Sequence, residues 1–228
     1  STPLTIVIPA IYAKKRLNIP LVFEVRDLWP EAPIAIGALK NPILISAARY
    51  LEKKAYQHSS RIIALSPGMK QGIIERGYPA DKIAVIPNAS DIEFFSNREE
   101  QAAELRAKHS WLRDRPMVIY TGTLGRVNGV GYFVKLAVEA QRIDPEVRFV
   151  VIGDGIEANE IKNAASEAGV LGSNFFMMPS MPKTEVANWL AAADISTSLV
   201  INIPELWKNS ANKFFDSLAA GVPIAINY

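Results

Sequence analysis

Three groups of residues in this 228-residue chain have types and spacings suited to chemistry. The first lies in the stretch 204–224, PELWKNSANKFFDSLAAGVPI, which carries the signals of a short helix. Ser210 is the expected N-cap, residues 211–220 the body, Gly221 the stop and Pro223 the bar to continuation. Lys213, Asp216 and Ser217 then fall at i, i+3 and i+4 and share one face, while Phe214, Phe215 and Leu218 are expected to turn toward a core. A cation and a carboxylate beside the positive end of a helix suit a nucleoside diphosphate. Backbone N–H groups and Lys213 hold phosphate oxygens, and Asp216 accepts from ribose hydroxyls. An exposed Lys–Asp pair, which contributes little, fits the same residues.

The second group is MVIYTGTLGRVNGVGYFVKLA, a strand, a glycine loop and a helix, with Gly122, Gly125, Gly129 and Gly131 in the loop and Arg126 among them. Such a loop lets backbone N–H groups approach a phosphate closely. It is not the G-x-G-x-x-G fingerprint, and the next acidic strand end, Gly153-Asp154-Gly155, lies about 30 residues on, too far to read a dinucleotide ribose. A nicotinamide enzyme is disfavoured. Arg126 reads equally as a diphosphate ligand or a solvated loop residue. The third group, RDLWPE at 26–31, crowds charge and an aromatic ring after the strand expected at 21–25, where open α/β sheets place ligands.

The elements that must position these groups alternate. An apolar helix over 4–17, bent near Pro9, precedes the strand at 21–25; helix 42–58, strand 61–65, a helix capped by Ser66 and a strand at 82–86 follow. From Arg115 strands are expected at 117–121, 147–152, 174–177 and 194–198, with helices between them and a last apolar strand after Gly221. That is α/β with two parallel-sheet, Rossmann-like domains. Residues 97–114, dense in charge, are expected as an exposed connecting helix, giving a partial first domain at 1–96 and a second at 115–228. The first half supplies only about three strands, so the chain is expected to be a fragment with both domains truncated.

Composition narrows the classes. A net charge of +2 with mixed signs gives no basic stripe for nucleic acid. Without Cys there is neither a disulfide framework nor a thiolate site. His58 and His109 suggest no metal motif, no D-x-D occurs, and the D-x-E of Asp91 and Glu93 reads as a solvated turn. No signal peptide or membrane span is apparent, so the expected location is cytoplasmic.

Taken in order, STPL, FEVRDLWPE, IIALSPGMK, VIPNASD, YTGTLGR, VVIGDG, MPSMPKTEVANWLAAADI and NKFFDSLAAGVPI make the chain resemble family 4 (group 1) glycosyltransferases of the GT-B fold. Within these it is similar to bacterial O-antigen and capsule enzymes that transfer N-acetylated amino sugars of the fucosamine type. The resemblance implies a retaining, metal-independent transfer from a nucleoside-diphosphate sugar, expected to be UDP-linked, to a saccharide or lipid-linked acceptor, with no cofactor and possible contact with the inner face of the membrane. It places Gly122, Thr123 and Gly125 under the diphosphate, Arg126 and Lys213 as its neutralising cations, Asp216 on the ribose, the loop Pro179–Met181 at the base, and Arg26 and Asp27 on the acceptor side. The chain departs from the family where Lys208 stands for the first Glu of E-x7-E, with Glu205 out of register, and where Thr123 and Asn128 replace the loop's Arg and Lys. A nucleotide-sugar-binding module without catalysis, and a 2-epimerase of the UDP-GlcNAc type, are the rival expectations.

Overall fold

The structure, a computed structural model, describes residues 3–227. Its chain divides into two compact units, Ser1–Asn88 with Ile203–Ser210, and Ala89–Asn202 with Ala211–Tyr228. The division differs from the expected boundaries 1–96, 97–114 and 115–228 at two places, 89–114 and 203–210.

In the first unit α1 (Val7–Leu17), β1 (Val22–Val25), α2 (Glu31–Ala35), α3 (Pro42–His58), β2 (Arg61–Ala64), α4 (Pro67–Glu75) and β3 (Ile83–Val85) build a parallel sheet of order β1-β2-β3. Pro9 stands in the first turn of α1, where its missing N–H has no intrahelical partner to lose, so the expected bend is not needed. The run 4–17 instead starts as a separate 3-10 turn at Leu4–Ile6. Asn41 caps α3, its Oδ1 accepting from Ile43 N at 2.9 Å. Phe23, Val25, Ile62 and Ala64 point inward and close on Tyr56, Met69 and Ile73.

The returning segment 203–210 docks on this unit. Ser66, the cap of α4, accepts from Met69 N at 3.0 Å and donates its own hydroxyl proton to the Lys208 carbonyl. Asn88 Nδ2 donates to the Ser210 carbonyl at 2.9 Å, and Lys208 Nζ lies 3.7 Å from Glu75.

The second unit runs α5 (Ile92–Phe95), α6 (Glu99–Lys108), β4 (Met117–Thr121), α7 (Gly131–Ile143), β5 (Arg148–Ile152), α8 (Ala158–Glu167), β6 (Phe175–Met178), α9 (Lys183–Ala191), β7 (Ile195–Ser198), α10 (Asn212–Ala219) and β8 (Ile224–Ile226). Its five strands are parallel in the order β6-β5-β4-β7-β8. Both faces are covered, and the strands alternate accordingly. Tyr120, Phe149, Val151 and Phe175 pack with Phe133 and Val134 of α7 and Ile161 of α8. Met117, Ile119, Val150 and Ile152 pack with Ala102 of α6 and Ala187, Trp189 and Leu190 of α9.

Residues 97–114 contain the expected, mostly exposed helix, but they belong to the second unit and do not connect two domains. The Arg106 guanidinium donates to the Ala192 carbonyl at 2.6 and 2.9 Å and meets Asp194 at 2.8 Å, Leu112 is fully buried, and His109 lies 5.0 Å from the Trp189 ring. Charge on one side of α6 masked the small apolar contacts on the other. No helix among the described residues is long and apolar enough to cross a membrane.

Ser66→Ala removes a helix cap and leaves the Lys208 carbonyl without its donor, so urea denaturation should show about 2 kcal/mol of lost stability. A loss under about 0.5 kcal/mol would show that segment 203–210 is held by other contacts.

Candidate functional site

In a sheet of this order the direction of strand addition reverses beside β4, and the crevice at the carboxyl ends of such strands is the place where a ligand fits. Three strand ends are knit together there. Gly122 N donates to the Ile152 carbonyl at 2.9 Å and Gly153 N to the Met178 carbonyl at 3.2 Å, which sets Gly122, Gly153 and Pro179 in a row. Their close packing needs glycine: a Cβ on Gly153 would stand 1.9 Å from the Gly122 oxygen, and one on Gly155 2.4 Å from the Leu124 oxygen.

Lys213 enters this row from the first turn of α10. Its ammonium donates to the Tyr120 hydroxyl at 2.8 Å and lies 3.9 Å from the centroid of the Tyr120 ring. A Cβ on Gly122, whose φ is +135°, would approach Nζ to 3.1 Å, so the missing side chain makes room for the ammonium. Tyr120 in turn donates to the Thr123 carbonyl at 2.9 Å, which also accepts from Asn128 Nδ2 at 2.7 Å. Thr123 and Asn128 thus hold the loop in shape without adding charge. Burial pushes the Lys213 ammonium down to about 8 and pushes the Tyr120 phenol up, the latter with help from the Glu157 carboxylate.

Asp216 lies one turn further along α10. Its Oδ1 accepts from Ser90 Oγ at 2.5 Å and stands 3.7 Å from Lys183 Nζ, itself 4.9 Å from the Phe95 ring centroid. The expected faces of the helix are partly exchanged: Ser217 is buried with its hydroxyl on the Lys213 carbonyl, whereas Leu218 is 53% exposed. Ser210 is not the N-cap either. Ala211 holds that position with no side-chain bond, because Ser210 is engaged by Asn88.

The other expected residues are placed as follows. Gly125 accepts from Asn128 N at 2.9 Å, closing the loop. Arg126 is exposed and lines a groove of about 790 Å³ with Tyr132, Val138, Glu157, Ile161 and Ile201, and neither Gly122 nor Lys213 lines that groove. Pro179 is exposed at the end of β6, while Met181 is partly buried against the α6–α9 core. Arg26 and Asp27 follow β1 in the first unit, Arg26 Nη1 lying 3.3 Å from Glu24. Asp91 caps α5 by accepting from Phe94 N at 3.0 Å, and no group of three potential metal ligands is found among the described residues. Sequence reasoning missed Tyr120, Ser90 and the pair Gly153 and Gly155. The doublet of glycines at a strand end was the available signal for the last of these.

Residues 101–226 match the glycosyl transferases group 1 family, and residues 1–89 match a glycosyl transferase 4-like domain. The chain belongs to the group 1 glycosyltransferases. It is 25% identical over 179 residues to the alpha-D-kanosaminyltransferase of Streptomyces kanamyceticus, covering 72% of this chain and 45% of that protein. It is 22% identical over 163 residues to WcaI of Escherichia coli K12, a putative colanic acid biosynthesis glycosyl transferase, covering 70% and 40%. The chain thus spans less than half the length of these curated relatives. Among solved structures, Anabaena HepE in complex with UDP and glucose superposes with a TM-score of 0.78 at 18% identity, over 97% of this chain and 56% of that one. WaaG, a glycosyltransferase involved in lipopolysaccharide biosynthesis, gives 0.67 at 13% identity, over 97% and 62%. At these identities the two structures show the shared GT-B fold, in which each of the two units described above is a Rossmann-like domain.

The low Lys213 pKa has a stability consequence for group 1 chains built this way. The unfolded chain holds the proton up to 10.5 and the folded chain only to about 8, so folding is penalised below pH 8 and the penalty fades between 8 and 10.5. Lys213→Met keeps the stem and removes the charge; at pH 7 it should be more stable than the parent by about 1–3 kcal/mol, the excess vanishing toward pH 10.5. A pH-independent difference in denaturation midpoints would contradict the assignment.

Proposed function

We propose that this chain serves a retaining, metal-independent glycosyltransferase that moves a sugar from a UDP-linked donor to a lipid-linked saccharide at the cytoplasmic face of a bacterial membrane, in surface polysaccharide synthesis. The observation that carries the donor half is the Lys213 ammonium, held against Gly122 at the carboxyl end of the central strand. Charge builds on the departing diphosphate as the glycosidic bond breaks, and a desolvated cation fixed in advance stabilises it without reorganisation. Asp216 keeps Oδ2 for a ribose hydroxyl while Ser90 and Lys183 hold Oδ1, and Arg126 supplies the second cation from its exposed position on the loop. Pro179 and Met181 offer the wall for the base, and Arg26 and Asp27 meet the acceptor. Support for the chemistry comes from relatives named for glycosyl transfer and from a structural neighbour holding UDP and glucose.

Transfer to a lipid-linked acceptor calls for a membrane-facing surface, and cations with exposed aromatic rings on the first unit support that reading. Partial burial and then the charges of Lys15, Lys54 and Lys14 hold the His58 imidazole below its usual range, and the Lys14 ammonium of α1 donates to the His58 carbonyl at the end of α3 at 2.5 Å. Tyr12 is 69% and Tyr50 63% exposed on the same two helices. A membrane of anionic lipids attracts such a surface by about 1 kcal/mol per cation.

A binding module without transfer is favoured by one observation: Lys208, where the family has its first Glu, is paired with Glu75. Donor turnover with and without a saccharide acceptor separates the two readings, since a pure binder releases no sugar.

Isothermal titration with UDP should give a dissociation constant that rises about tenfold per pH unit above pH 8, where the parent loses the Lys213 proton. Lys213→Ala should bind roughly 100-fold more weakly at pH 7, with no such pH dependence. Equal affinities for the two proteins would remove Lys213 from the site. In a separate assay, sedimentation with phosphatidylglycerol vesicles should exceed that with phosphatidylcholine, and Lys15→Glu with Lys54→Glu should weaken it by more than about tenfold. Indifference to lipid charge would refute the membrane contact.

A further inference from the structure

Tyr120 has no role in the reading above, yet its geometry gives it one. It is fully buried, the strand β4 fixes its backbone at the centre of the sheet, and its hydroxyl is committed on both sides. The oxygen accepts from Lys213 Nζ at 2.8 Å, and the proton goes to the Thr123 carbonyl at 2.9 Å, inside the glycine loop. The ring face lies under the same ammonium, with 3.9 Å from Nζ to the centroid. The neighbours that carry charge are few: Glu157, from the connection before α8, acts on Tyr120, and Asp216 on α10 is occupied by Ser90 and Lys183.

We propose that Tyr120 is a positioning residue for diphosphate binding, which aims the Lys213 ammonium at the Gly122 turn and couples that aim to the shape of the Thr123–Asn128 loop. This rests on the donor reading given above. A lysine stem has four rotatable bonds and spreads its charge over a wide volume when free; a phenol oxygen and a ring face together select one position for it. The phenol remains neutral, because burial and Glu157 both raise its pKa, so it offers the ammonium an acceptor without cancelling its charge. An anion arriving at the turn then meets a cation that no carboxylate among the described residues already neutralises. A Glu or Asp at 120 would hold Lys213 as firmly and spend the charge that the diphosphate needs.

The role separates from simple packing in a double-mutant cycle. Tyr120→Phe keeps the ring and removes the hydroxyl; it should weaken UDP binding about tenfold and leave uridine binding unchanged, since uridine carries no phosphate. In the Lys213→Met background the same substitution should cost UDP nothing further. Unchanged UDP affinity in the first comparison, a parallel loss for uridine, or an equal loss in the Lys213→Met background would each overturn the proposal. The second measurement uses no nucleotide: NMR titration of 13C-labelled lysine should show the Lys213 pKa falling by about one unit in Tyr120→Phe, because the charged form loses its acceptor. An unmoved pKa overturns the positioning role even where UDP binds. A parent protein that fails to bind UDP would instead refute the donor reading, and the titration alone would then decide for or against Tyr120.

Discussion

A single buried ammonium constrains the second unit. Lys213 gives up much of its hydration to lie against Gly122, and the surrounding structure makes that position tolerable with no carboxylate paired to it among the described residues. A phenol oxygen accepts one of its protons and an aromatic face covers another side. A carboxylate in that place would have raised stability and closed the site to anions. The arrangement fits the general observation that functional groups are held in states the fold alone does not favour.

That constraint propagates outward through the backbone. The ammonium needs Gly122 without a side chain, and the carbonyl of Gly122 needs Gly153 without one. The two strands that carry them must stay in register, Thr121 opposite Ile152, for the contact to form. The strict alternation of Met117, Ile119, Val150 and Ile152 against Tyr120, Phe149 and Val151 fixes that register, because a slip by one residue would exchange the two cores. The hydrophobic pattern and the placement of one lysine are therefore parts of the same specification.

Much of this was legible in the sequence, since helix caps and apolar runs are local signals. Asn41-Pro42, Ser66-Pro67 and the four-residue apolar strands stand nearly where spacing put them. The family resemblance pairs Lys213 with the glycine loop, and the structure brings its ammonium beside Gly122. What failed was whatever depended on a distant partner. Ser210 has the right type for a cap but is claimed by Asn88, and Ser217 is buried because its hydroxyl can satisfy itself on the Lys213 carbonyl. Residues 97–114 read as a connector because Arg106 looks like a surface charge until the carbonyls of Ala192, Arg113 and Arg115 are found around its guanidinium. Tyr120 gave no signal at all, as a tyrosine within an apolar strand is indistinguishable from any other core aromatic.

The segment Ile203–Ser210 has a consequence for how members of this family exchange parts. It lies in sequence between β7 and α10, both in the second unit, yet its own bonds go to Ser66, Glu75 and Asn88 of the first. A graft that takes everything after the family boundary near residue 101 would carry eight residues fitted to a surface it leaves behind. Recombination between relatives, natural or engineered, has to cut this chain in three places, so that the second unit is inherited as two pieces around a stitch that belongs to its neighbour.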